Sequence, residues 1–240
     1  MSIVFDIGYR TRYNGEVIRD NLSAGEYYHV CHRGNNKQPI FFDEDDRIRL
    51  LFLLLFYQAP FAIDNINRLI KDFKSFVRHP TSNNMSGSLL QLRDKVLHRR
   101  MVELICFTLM TNHFHLALYA KSDDGISRYM QKVLIAFTKY INTKYERSGH
   151  LFQGPYSMVH QADNDQFLYL GTYIHRNVRE LSGWKSREHE YPWSSYQDYI
   201  HGNRWGELLA IQHIMEQFAS QYEYKQFTEE SPAKLEDVDE

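Results

Sequence analysis

Two apolar runs, Val102 to Leu109 and Phe114 to Tyr119, are separated by only Met110-Thr111-Asn112 and by His113, which opens the second strand. A gap that short between two strand-length segments predicts a hairpin. The second run carries His113 and His115 around a single apolar residue, Phe114. Successive side chains on a strand point to opposite faces, so the two imidazoles share one face while Phe114 and Leu116 take the other. Neutral imidazole is the commonest protein metal ligand, and a strand holds such a pair rigidly. The same pair also reads as two ordinary polar strand residues. The spacing alone leaves both readings open.

The surrounding pattern predicts what the hairpin packs against. Tyr27 to Gly34 is aromatic and β-branched between Gly25 and Gly34, the expected first strand. Acidic Asp43 to Asp46 then open a helix that should run to about Tyr57 and stop before Pro60. Ile66, Leu69, Ile70, Phe73 and Phe76-Val77 mark a second helix over Asp64 to Val77, and His79 to Ser88 reads as a polar loop. Ile126, Tyr129-Met130, Val133-Leu134, Phe137 and Tyr140-Ile141 step by three and four, predicting an amphipathic helix from Asp124 to about Arg147, ended by Gly149. Leu151 to His160 reads as a fourth strand, with Pro155 requiring an edge or a bulge. A helix from Asp163 to Leu181 buries Phe167, Leu170, Ile174, Val178 and Leu181, and Tyr169, Tyr173 and Asn177 line its edge one turn apart. Pro192 to Tyr196 reads as an ordered loop or short helix, and Trp205 to Phe227 as a closing helix. This order predicts an α+β fold: an antiparallel sheet backed by helices on one face, with the other face open.

At 240 residues and 43% hydrophobic content the chain can bury a substantial core. No run approaches the roughly 18 apolar residues of a membrane span, and the opening residues lack a secretory pattern, so a cytoplasmic protein without membrane association is expected. Cys31 and Cys106, far apart and within predicted strands, are expected to be reduced core residues. The net charge of −2 seems to exclude a phosphate-binding surface. Its distribution does not, because Glu229 to Glu240 is strongly acidic and the remainder is net basic. Between Ile66 and Arg100, eight basic residues, Arg99 and Arg100 among them, face only Asp72 and Asp94. Such a segment permits a nucleic-acid footprint without demanding one. The expected organisation is an N-terminal arm over residues 1–25, a main domain over 26–200, a helical extension over 201–228 and a disordered acidic tail over 229–240.

Placed in order, four blocks resemble the REP-associated tyrosine transposases, a branch of the single-tyrosine HUH transposases. They are Tyr28-His29-Val30-Cys31-His32-Arg33-Gly34-Asn35, Leu109 to Leu116 with His113-Phe114-His115 as the HUH signature, Gly149 to Gly154, and Tyr173-Ile174-His175-Arg176-Asn177. Trp193-Ser194-Ser195-Tyr196 resembles a further element of that family, and the likeness spans residues 26–200. The resemblance implies a ferredoxin-like core, a single-stranded DNA partner with a REP-like hairpin, and cleavage and rejoining through a 5′-phosphotyrosine. It implies His113, His115 and Asn177 as ligands of a divalent metal, Mg²⁺ or Mn²⁺, and Tyr173 as the nucleophile. Relatives include dimers that exchange the catalytic helix, whereas the REP-associated branch can act as monomers, and a monomer, nucleoid-associated when bound to DNA, is expected. The chain departs from the family pattern at Thr111, Pro155 and Val178, and an arginine absent at Pro155 bears on DNA affinity.

The residues leave alternatives. Without the blocks Tyr173 is one of 17 tyrosines on a helix edge, Asn177 a residue near a helix end, and His175 a competing ligand. Tyr169 reads as packing, and His29, His32 and His160 read as satisfied strand polar groups. Arg33, Lys132, Lys139, Arg147, Arg99 and Arg100 are weak candidates for DNA contact, since a basic helix face is usually solvated. Two other functions stay open: an inactive protein that binds DNA hairpins without cutting, and a zinc hydrolase in which a carboxylate completes the histidine pair.

Overall fold

The computed structural model describes residues 22–79 and 85–231. Almost all of the expected N-terminal arm and most of the acidic tail lie outside these residues, as does the centre of the loop expected over His79 to Ser88. Among the described residues no helix is long and apolar enough to cross a membrane.

Four strands form one sheet: β1 (Tyr27–Arg33), β2 (Val102–Leu109), β3 (His113–Ala120) and β4 (Ser157–Gln161). Their order is β2-β3-β1-β4 and every neighbouring pair is antiparallel. This is the ferredoxin-like arrangement, with the predicted hairpin β2–β3 at one side and β1 between β3 and β4. The strand expected over Leu151 to His160 is shorter. Residues 151–156 leave the ladder, with a lone bridge from Phe152 to Gly34, and pairing resumes as β4 only after Pro155, on the sheet edge.

On one face Val30, Leu104, Phe107, Phe114, Leu116 and Leu118 pack on α1 (Glu44–Phe56) and α4 (Gly125–Lys144). Leu50 to Phe56 is buried along its whole run. The neighbouring elements explain why: α1 contacts β2 and α4, and also α2 (Ile66–Arg78) and α3 (Gly87–Leu97). Helix α3 was not anticipated. Its pattern, Leu89, Leu92 and Val96 buried, is short and follows directly on the loop residues.

The second face is not open. Helix α5 (Asn164–Arg176) covers it, laying Phe167, Leu170 and Ile174 over Ile105, Cys106 and Ala117. Both Ile105 and Cys106 reach this face because a register shift interrupts β2 between Leu104 and Cys106. The helix expected to reach Leu181 ends at Arg176 and tightens into a 3-10 turn over Asn177–Glu180. The expected closing helix is likewise broken into a 3-10 turn over Gly206–Leu208, α7 (Gln212–Met215) and α8 (Gln221–Glu230), after α6 (Tyr196–Ile200). Residues 201–228 therefore wrap the α5 side. At Gly171 a side chain would meet Ile214 Cδ1 at 2.7 Å, so the missing Cβ lets α7 sit close to α5. The outer edge of β2 is covered too: Leu109 N–H donates to Trp193 O, Ser195 N–H to Phe107 O, and Ala210 N–H to Leu104 O. Covered edges do not recruit other strands.

One buried carboxylate ties the first helix to the fourth. Asp46, fully buried, accepts from Phe42 N (2.8 Å) and Asp43 N (3.2 Å), from Tyr140 and Tyr145 hydroxyls (3.1 and 2.8 Å) and from Lys144 Nζ (2.7 Å). Asp43 caps α1 in return by accepting from Asp46 N at 3.0 Å. Lys144 would keep Asp43 at 2.6 Å, but without Asp46 two backbone N–H groups and two tyrosine hydroxyls lose their acceptor. Asp46→Ala is expected to lower the unfolding free energy by about 3 kcal/mol, measured by urea denaturation.

Candidate functional site

The α5-facing side of the central strands differs from its opposite in chemistry. Along β3 it presents His113, His115, Ala117 and Tyr119, and along β1 it presents Tyr27, His29, Cys31 and Arg33. The register sets Cys31 opposite His115 and Arg33 opposite His113. The two imidazoles lie with centroids 5.0 Å apart, nearly perpendicular at 85°.

Helix α5 brings Tyr173 to this pair. The Tyr173 ring meets His115 edge-on at 5.3 Å and His29 at 5.8 Å. Asn177, the C-cap, keeps the helical bond from its N–H to Tyr173 O, so the one-turn relation survives although the helix stops at Arg176. Asn177 is buried, and its carboxamide lies near enough to His113 to favour that ring's charged form. Its Oδ1 nonetheless has no hydrogen-bond partner among the described residues. A buried amide oxygen without a partner is uncommon and calls for an explanation such as an ion or water. His113, His115, Tyr173 and Asn177 thus come together within one chain.

His175, the competing ligand, turns away. Tyr224 O–H donates to its Nδ1 (2.7 Å), its Nε2–H donates to Ser195 Oγ (2.9 Å), and Ser195 Oγ–H donates to Phe107 O (3.2 Å), an assignment that satisfies every group. Thr108 Oγ1 donates to Ile174 O at 2.7 Å and pins α5 to β2 directly. His160 is a satisfied polar residue, on Glu26 (2.9 Å), whereas His32 has Gly154 O at its Nε2 (3.2 Å) and no partner at its buried Nδ1 among the described residues. His29 is hydrogen-bonded as expected, but to a member of the pair: its Nε2 lies 2.9 Å from His115 Nδ1. No spacing within β1 signals this contact, because it depends on the pairing of β1 with a strand about eighty residues on.

The basic candidates scatter. Arg33 adjoins the pair, and its positive charge lowers the pKa of both His113 and His115. Lys132 sits on α4 across the sheet, donating to Ala59 O (2.6 Å) and Phe61 O (3.0 Å), and Arg147 covers the Phe42 ring. Arg100 pairs with Glu103 at 3.0 Å, while Arg99 and Lys139 are exposed elsewhere. Much of the basic segment is neutralised in place, since Lys74 and Arg78 pair with Asp45 and Arg93 with Asp94. Only Arg33 of the six joins the cluster.

Two nitrogens and one amide oxygen fit a cation of mixed N/O preference. Among the described residues no group of three or more His, Cys, Asp and Glu side chains is arranged to hold a metal, and no carboxylate stands beside the pair as the zinc hydrolase reading requires.

Burial holds these rings neutral. Desolvation takes His113 down to about 4, with Arg33 adding to the effect and Asn177 opposing it. It takes His29 to about 4 and His175 to about 3, and it holds His115 well below the usual histidine range with help from His29, His113 and Arg33. It also pushes the Cys31 thiol up to about 12.

The fold and this cluster define an α+β protein with a histidine pair, an amide and a tyrosine on one sheet face. Residues 76–177 match the model of the family described as "Transposase IS200 like". The matched segment holds three of the four sequence blocks, His113, His115, Tyr173 and Asn177 among them, which bears out the resemblance they carry. A solved structure of a REP-associated tyrosine transposase bound to a REP hairpin is also similar, at 13% sequence identity over 78% of this chain and 85% of that chain, with a TM-score of 0.48. No curated protein matches the chain.

Because an unfolded chain's histidines titrate near 6.5 and the buried rings only near 3 to 4, the unfolded state binds more protons between those values. Stability therefore falls as pH drops through that window. His175→Gln is expected to flatten the fall by about one proton, about 1.4 kcal/mol per pH unit. Urea unfolding between pH 7.5 and 4.5 checks this, and an unchanged slope would contradict it.

Proposed function

We propose that this chain is a DNA transposase that cleaves and rejoins single-stranded DNA near hairpins through Tyr173. The observation that carries the reading is the meeting of Tyr173 and Asn177 with His113 and His115, residues about sixty positions apart in sequence and within the segment that matches the IS200-like transposases. Single-stranded, hairpin-bearing DNA as substrate rests on the resemblance of the sequence blocks.

His113, His115 and Asn177 Oδ1 would hold a divalent ion, Mn²⁺ or Mg²⁺. When bound, such an ion supplies Lewis-acid polarisation of a phosphate oxygen. Burial keeps both imidazoles neutral, the form that ligates. Arg33, beside His113, contributes positive charge for the phosphodiester. Tyr173 is half-buried on the rim of the cluster, where its hydroxyl can approach a phosphorus atom from the helix side. A tyrosine hydroxyl titrates near 10 in its unperturbed state and is a weak nucleophile until its proton leaves. Attack by its oxygen forms a phosphotyrosine on the 5′ side and releases a 3′-hydroxyl. The reverse attack by a 3′-hydroxyl rejoins DNA with no nucleotide consumed, because the phosphodiester energy is kept in the tyrosyl ester. All four residues belong to one chain, which favours action as a monomer.

Incubation with a hairpin-bearing oligonucleotide and Mn²⁺ is expected to give a covalent protein–DNA adduct on denaturing gels. Tyr173→Phe should abolish the adduct while leaving hairpin binding within a few-fold of wild type. An adduct that persists in Tyr173→Phe removes Tyr173 as the nucleophile, and tight binding with no adduct under any divalent metal favours the hairpin-binding protein that does not cut.

A further inference from the structure

The histidine pair can hold a cation only through nitrogens that carry no proton, and each ring has two tautomers. Which one is present depends on what the other nitrogen touches. Around His113 the structure leaves one answer. Asn112 Nδ2 donates to Lys37 O at 2.9 Å, which turns Asn112 Oδ1 toward His113 Nδ1 at 2.7 Å. An amide oxygen only accepts, so the proton of that contact belongs to His113 Nδ1. His113 Nε2 is left with its lone pair.

Around His115 the corresponding contact is with His29. His29 Nε2 and His115 Nδ1 are 2.9 Å apart, both residues are buried, and the rings are nearly parallel, 16° between planes. His29 sits one strand over and two residues along from Cys31, the cross-strand partner of His115. The other nitrogen, His115 Nε2, faces the Cys31 thiol at 4.0 Å. A thiol at that distance can donate weakly to a bare Nε2 or accept weakly from a protonated one. Either tautomer can use both contacts, but only the one with the proton on His115 Nδ1, donated to His29 Nε2, leaves Nε2 bare for a cation and matches the tautomer of His113.

We propose that His29 and Asn112 are positioning residues that lock His115 and His113 in the same Nδ1–H tautomer, so that both rings present Nε2 to the cation. This rests on the cation-binding reading of the cluster and goes beyond it, since neither residue is among those proposed to hold the ion. His29 has a second contact, the Tyr173 ring edge-on at 5.8 Å, so its ring packs against both the tyrosine and His115. Partners of this kind, behind metal-ligating histidines, set the affinity of a site by 10- to 100-fold.

The test uses the full chain with ¹⁵N-labelled histidine at pH 7.5, without added metal, and Mn²⁺ titration of the same samples. In wild type, His113 and His115 should show the Nδ1–H signature. His29→Phe keeps a ring of similar size but removes the acceptor. It should shift His115 toward the Nε2–H form and weaken Mn²⁺ binding about 10- to 100-fold. His29→Gln, whose side-chain oxygen can accept at a similar reach, should recover most of that loss, and Asn112→Leu should act on the His113 signal in the same way. Circular dichroism and urea midpoints identify variants that fail to fold, and the wild-type tautomers alone then decide. An Nε2–H signature for His115 in wild type, or Mn²⁺ affinity unmoved by His29→Phe in a folded protein, overturns the proposal. His29-dependent Mn²⁺ binding in a chain that forms no DNA adduct supports it and counts against the cleavage reading instead.

Discussion

The antiparallel pairing of β1 with β3 is the constraint on which the rest depends. Its register sets His29 opposite Ala117, Cys31 opposite His115 and Arg33 opposite His113. Because side chains alternate with a period of two, a slip of one residue would exchange the two faces of one strand against the other. The imidazoles would then enter the cluster around Val30, Phe107 and Phe137 in place of Phe114 and Leu116, at a cost of several kcal/mol for each unpaired group. The apolar face therefore enforces the geometry of the polar one. Val30, Leu116 and Leu118 hold the strands in register, and the histidines inherit their positions from that packing.

The two faces perform different work because different helices cover them. Helices α1 and α4 close the first face with an apolar layer knotted at its rim by Asp46, Lys144 and two tyrosines. Helix α5 closes the second face only in part. Its upper turns bury Phe167 and Leu170 on Ala117 and Cys106, while its last turn brings Tyr173 and Asn177 over the histidines. The change from α-helix to 3-10 turn falls at Asn177. The site thus lies where a rigid helix ends, fixed from below by Thr108 on Ile174 O and from behind by His175 on Ser195 and Tyr224. The C-terminal elements matter for the same reason, since α8 supplies Tyr224 and α7 presses on Gly171.

Periodicity carried the main elements. The stripes Tyr129, Val133, Phe137, Ile141 and Phe167, Leu170, Ile174 produced α4 and α5, and the short gap before Asn112 produced the hairpin. Elements whose stability is mainly tertiary were less legible. Helix α3 is short and weakly patterned, and the expected closing helix is interrupted before α7 where Leu209 and Ala210 join the edge of β2, a contact no local pattern announces. The open face predicted for the sheet was closed because the apolar stripe of α5 had to be buried somewhere, and Ile105 and Cys106, side by side at a bulge, provided the surface. The basic segment is less available than its charge sum implies for a related reason: a sum of charges does not show that Asp45 on α1 pairs with Lys74 and Arg78.

By itself the sequence determined which residue types were available and at what spacing: two imidazoles on one face of a strand, and a hydroxyl and an amide one turn apart on a helix. Those follow from the fixed periods of strand and helix. Only the tertiary structure decided that the two halves face each other, that Asn177 rather than His175 turns toward the pair, and that His29 stands behind His115. The reason is physical. Strand register and helix docking are settled by burial of apolar area across the whole core, so a contact between residues eighty positions apart is a property of the packed fold and not of any segment within it.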